Sequence, residues 1–71
     1  MLAAKVETNL SVETLSSYVA EVSAPGFKVW LHDGKAYATF TASSLETLQN
    51  LAERIGERGR KCKFLRIAEI L

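Results

Sequence analysis

Hydrophobic and polar residues alternate along three stretches of the chain, and hydrophobic residues recur at helical spacing along two others. In LAAKVET, Leu2, Ala4 and Val6 alternate with their neighbours, which predicts a strand buried on one face. Ser11 is a typical helix N-cap, and apolar residues three and four positions apart then continue to Val22. The pattern therefore predicts a strand followed by a helix.

A β-hairpin is predicted in KVWLHDGKAYATF, residues 28–40. Asp33 and Gly34 lie between two alternating runs and are typical of a two-residue type I′ turn, whose central residues both need positive φ. This turn fixes the register and places Trp30 opposite Tyr37. The predicted core face of the hairpin comprises Phe27, Val29, Leu31, Ala36, Ala38 and Phe40. The opposite face comprises Lys28, Trp30, His32, Lys35, Tyr37 and Thr39.

A second helix and a last strand are predicted in the C-terminal part of the chain. Ser43 with Glu46 forms a capping-box pattern, and an apolar stripe from Leu45 to Ile55 follows it. The segment KCKFLRIAEIL fits either a strand or a helix. The strand is favoured because it would cover an exposed sheet edge beside the first strand.

The element order βαββαβ predicts an α+β fold of the ferredoxin-like type, with residues 1–71 as a single domain. Right-handed crossovers place both helices on one face of a four-stranded antiparallel sheet. The first and third strands lie in its centre. The other face of the sheet is then left uncovered.

Composition narrows the class of protein. Apolar residues make up 48% of the chain and charged residues 24%, as in ordinary globular domains. No apolar run approaches the roughly 18 residues of a membrane span, and Lys5 and Glu7 stand where a secretory signal is apolar. We therefore expect a cytoplasmic protein without a membrane partner. Cys62 is the single cysteine, which argues against a disulfide within the chain and against a structural zinc site.

Positive charge gathers at the C-terminal end of the chain. Residues 1–53 carry three lysines and six acids, whereas residues 54–71 carry six basic residues and two acids. A basic loop is expected after the second helix, where it would contact an anion or a nucleic acid. The candidate contacts are Arg58, Arg60, Lys61 and Lys63.

The uncovered sheet face is the candidate binding surface, because Trp30 and Tyr37 would form a cross-strand pair there. Tryptophan, tyrosine and arginine are enriched at binding hot spots, which predicts a protein partner or a second copy of the chain. The last strand adds Phe64 and Arg66 if the residues that flank Arg66 point inward. The predicted partner-binding residues are Lys28, Trp30, His32, Lys35, Tyr37, Phe64 and Arg66.

Two other interpretations of this face stay open. Cross-strand aromatics also stiffen a hairpin whatever its function, contributing roughly 0.2–1 kcal/mol. Single-stranded RNA or DNA binding is the alternative function, because RNA-recognition domains share this fold and stack bases on sheet aromatics. The stretch KAYATF around Tyr37 lacks the basic-Gly-aromatic start of the RNP1 pattern, and the first strand carries no aromatic residue.

Groups suited to catalysis do not form a known motif in the sequence. It contains no phosphate-binding loop, no metal-ligand cluster and no catalytic triad. His32 is interpreted as a polar hairpin residue, and Cys62 as a small, partly buried thiol. We therefore expect a non-enzymatic binding or regulatory module that uses no cofactor and no metal.

Overall fold

Six elements appear in the predicted order in the computed structural model, which describes residues 1–23, 26–57 and 61–70. They are β1 (Leu2–Thr8), α1 (Val12–Val22), β2 (Lys28–His32), β3 (Lys35–Ala42), α2 (Leu45–Gly56) and β4 (Cys62–Glu69). The strands form one antiparallel sheet in the order β2-β3-β1-β4. The ferredoxin-like α+β arrangement is confirmed, and so is the interpretation of the last segment as a strand.

Serine caps start both helices. The Ser11 side chain accepts a hydrogen bond from the backbone amide three residues later, at the predicted start of α1. In α2 the cap is Ser44, whose hydroxyl accepts from the Thr47 amide at 3.4 Å. The predicted capping box of Ser43 and Glu46 is therefore wrong by one position. Ser43 lies one residue before the cap, and its hydroxyl contacts the Thr47 hydroxyl instead.

The hairpin between β2 and β3 has the predicted turn and register. Asp33 and Gly34 have φ values of 50° and 77°, as both central residues of a type I′ turn require. Trp30 pairs with Tyr37, and the predicted pairs from Lys28 with Thr39 to His32 with Lys35 also form. The predicted pair of Phe27 with Phe40 is not part of the ladder, because β2 begins at Lys28. One predicted core residue, Leu31, is 65% exposed although its partner is buried, because β2 is an edge strand.

The core lies between one face of the sheet and the two helices. Its helical members are Leu15, Val19, Leu48, Leu51 and Ile55, and its strand members are Ala4, Val6, Ala36, Ala38, Phe40 and Ala42. The strand members alternate along β1 and β3, so both central strands bury the same face. The opposite face, which we call the open face, is turned away from both helices.

A β-bulge in β4 overturns the expected position of Phe64. Along β1, Lys5 pairs with Arg66. The next residue, Val6, pairs with Phe64, so Leu65 is an extra residue in β4. Val6 is fully buried, and Phe64 beside it packs against the core rather than lying on the open face. Leu65, which was expected to point inward, is 41% exposed. Arg66 keeps its predicted place on the open face.

Neither helix in the described ranges has the length and apolar character needed to cross a membrane.

Candidate functional site

The open face is organised in rows that run across the strands. The register aligns Lys28, Thr39, Lys5 and Arg66 in one row, which we call the basic row. Trp30, Tyr37, Glu7 and Lys63 form the neighbouring row, which we call the aromatic row. His32 and Lys35 follow at the hairpin end of the sheet. The fold thus gathers side chains from all four strands on one surface.

The aromatic row contains a stacked pair. The ring centroids of Trp30 and Tyr37 are 5.7 Å apart with 14° between the ring planes, and both side chains are half-buried. The imidazole of His32 lies 6.2 Å from the Tyr37 ring at an angle of 57°. The Lys5 ammonium lies 5.7 Å from the centroid of the Trp30 ring, within the range of a cation–π contact. Lys5 therefore connects the basic row to the aromatic pair.

Glu7 is the one acid among the described open-face residues, and it is neutralised locally. Its carboxylate lies 3.2 Å from the Lys35 ammonium. The hydrogen bond from Lys35 is the main cause that holds the pKa of Glu7 below its ordinary value. Desolvation, reinforced by the Glu7 carboxylate, raises the pKa of the Tyr37 phenol.

Two grooves flank the aromatic pair. The first has a volume of about 520 Å³, and its charged lining comes from Lys5, Lys28 and Arg66. Thr39 and Thr41 also line it. The second is smaller, about 140 Å³, and is lined by Glu7, Thr8, Asn9, Lys35, Lys61 and Lys63. Lysine residues therefore line both grooves.

Charge is strongly divided between the two faces of the molecule. The described open face carries five basic side chains and one acid, a formal charge of +4. These residues are Lys5, Lys28, Lys35, Lys63, Arg66 and Glu7. Helices α1 and α2 carry four glutamates and one arginine, a formal charge of −3. The net charge of +1 conceals this polarity.

The predicted site residues fall into three groups. The open face brings together Lys28, Trp30, His32, Lys35, Tyr37 and Arg66, and Phe64 is excluded from it. Lys61 and Lys63, predicted as anion contacts, line the second groove. Arg58 and Arg60, predicted for the same role, lie outside the described residues. Sequence reasoning missed Thr41 and Asn9, although continued alternation from the hairpin would have placed Thr41 beside Thr39.

His32 and Cys62 have surroundings that suit structural roles. His32 lies 3.2 Å from Asp33 at the largely exposed hairpin tip. Cys62 is half-buried at the start of β4, and burial raises the pKa of its thiol. Within the described ranges, no cluster of three or more His, Cys, Asp or Glu residues is placed to hold a metal ion.

Comparison with known protein families and with curated proteins finds no match to this chain.

Proposed function

We propose that the protein is a small, non-enzymatic binding module that docks a negatively charged partner on the open face of its sheet. The observation that carries this proposal is the formal charge of +4 around the stacked Trp30 and Tyr37 rings. Aromatic and arginine side chains supply contact area, and complementary charge attracts the partner and orients it. The face combines both features on one rigid sheet.

The same charge restricts which proteins fit. Two copies that met through their open faces would oppose +4 with +4, which disfavours association. A second copy fits better if it offers its acidic helices, whose formal charge is −3. Any other protein partner would need an acidic surface of comparable extent.

The module is proposed to act in the cytoplasm, where a single free thiol such as that of Cys62 stays reduced. A regulatory role is also proposed, in which the open face binds a larger molecule.

Retention of cell components on the immobilised protein tests the proposal. Wild-type protein, the Trp30→Ala/Tyr37→Ala variant and a Leu45→Ala control are incubated with a cell extract and eluted with a salt gradient. Leu45 is a suitable control because it is 52% exposed on α2, away from the open face. We expect wild type and control to retain the same protein or nucleic acid and to release it with salt. Equal retention by the double variant would contradict the proposal.

A further inference from the structure

The two basic grooves and the aromatic pair lie side by side on the open face, in an arrangement suited to one ligand. We propose that this ligand is a single-stranded nucleic acid, whose phosphates occupy the grooves while its bases contact Trp30 and Tyr37. The inference rests on the proposed function and names the class of partner. It depends on the positions of the basic row and the aromatic row, which the register of all four strands sets.

The first groove has the charge and the donors that phosphate groups require. Lys28 and Arg66 stand at opposite ends of the basic row, three strand spacings apart, or about 14 Å. Lys5 lies between them and pairs with Thr39, whose hydroxyl is a hydrogen-bond donor. In the described part of the chain, no acid lies within 4 Å of a charged nitrogen of these three residues. Their charges are therefore available to more than one phosphate.

The aromatic pair supplies a surface for bases next to this charge. Bases of any identity stack on aromatic side chains because every base has a π face. Successive rows of a strand face are about 6.7 Å apart, so the pair lies one row from the basic row. Lys5 belongs to the first groove and also touches the Trp30 ring, so base and phosphate contacts meet at this residue.

Shape distinguishes a single strand from a duplex. The open face is a four-stranded sheet about 14 Å across between its outer strands, without their side chains. A B-DNA major groove is about 12 Å wide, and it admits a helix or a two-stranded ribbon. The sheet face is therefore too wide to enter the major groove of undistorted B-DNA, whose bases stay stacked. An unpaired strand, in contrast, can offer both bases and phosphates to this surface without deformation of a duplex.

Fluorescence anisotropy of labelled 15-nucleotide single strands, of random RNA and of oligo(dT), tests the inference over a series of salt concentrations. With three to five phosphates neutralised, we expect log K to fall with log salt with a slope of about −2 to −3.5. Lys28→Gln and Arg66→Gln should each reduce the magnitude of that slope by about 0.7. Arg54→Gln, which removes the same charge from the helix side, should leave it unchanged. Trp30→Ala should weaken binding roughly 5- to 150-fold, and Trp30→Phe much less.

Two parallel ligands separate failure of this inference from failure of the proposed function. A 15-base-pair duplex should bind more weakly than the single strand, and equal affinity would overturn the assignment of base contacts. Binding of poly-glutamate without binding of the single strands would overturn the nucleic-acid inference but support docking of an acidic protein. Binding of none of these polyanions would overturn both proposals. Amide spectra of each variant establish that it is folded before its affinity is compared.

Discussion

The indole ring of Trp30 stacks on the phenol ring of Tyr37 across the hairpin, with 5.7 Å between their centroids. This contact adds to the backbone pairing of β2 with β3. We expect Trp30→Ala and Tyr37→Ala to be non-additive in the free energy of unfolding, with a coupling of about 0.2–1 kcal/mol. Urea denaturation of the two single variants and the double variant measures this coupling. Strictly additive effects would show that the stacked rings do not stabilise each other.

The bulge in β4 predicts different stability effects for substitutions at two neighbouring residues, Phe64 and Leu65. Phe64 packs against the core, whereas Leu65 is 41% exposed. Phe64→Ala should lower the free energy of unfolding by about 2–3 kcal/mol, less than the cost for a fully buried phenylalanine. Leu65→Ala, as the matched control in the same strand, should cost about 0.5 kcal/mol or less. A larger loss for Leu65→Ala would indicate a strand without the bulge.

The two edge strands show what the sequence can and cannot predict. The position of β2 follows from Asp33 and Gly34, because a two-residue turn leaves one register for the whole hairpin. No turn joins β4 to its neighbour β1. Only the alternation of residues within β4 could therefore predict which of its side chains face the core. A single extra residue, Leu65, reverses that alternation, and Phe64 moves to the core side. The bulge has no local sequence signal, since no glycine or proline marks it.

Most members of the candidate site could be predicted from the alternation of each strand, but their arrangement in rows across the sheet could not. The hairpin register alone places Lys28, Trp30 and Tyr37 on one surface. The basic row, in contrast, exists only because β1 and β4 bring Lys5 and Arg66 beside Lys28. These contacts join residues distant in sequence, so the charge of the face emerges from the sheet register rather than from any segment.

Acid titration should reveal the ion pair of Glu7 with Lys35. Lys35 lowers the pKa of Glu7 in the folded state, so the pair stabilises the fold fully above the ordinary glutamate pKa of about 4.3. This contribution is lost as the pH falls through the lowered pKa. A carboxyl-detected NMR titration should give Glu7 a low pKa, and Lys35→Gln should return it toward its ordinary value. An unchanged pKa in Lys35→Gln would show that Lys35 is not the cause.

The thiol of Cys62 should react slowly even though Lys61 and Lys63 flank it. Burial raises the pKa of this thiol, and only the thiolate is nucleophilic. Alkylation of the native protein by iodoacetamide should therefore be much slower near neutral pH than alkylation of the urea-unfolded chain. The rate of alkylation of the native protein should begin to rise at a higher pH than the rate for a free cysteine. Equal rates in the native and unfolded states would contradict the half-buried position of Cys62.

The most direct test of the open face as a docking surface is an amide NMR titration with two polyanions, a single-stranded oligonucleotide and poly-glutamate. The chain has one tryptophan, so the Trp30 indole N–H gives a single reporter signal on that face. We predict that at least one polyanion shifts this signal together with the amides of Lys5, Lys28 and Tyr37, while α1 and α2 stay unchanged. Shifts confined to the helices, or no shifts with either ligand, would contradict the central claim.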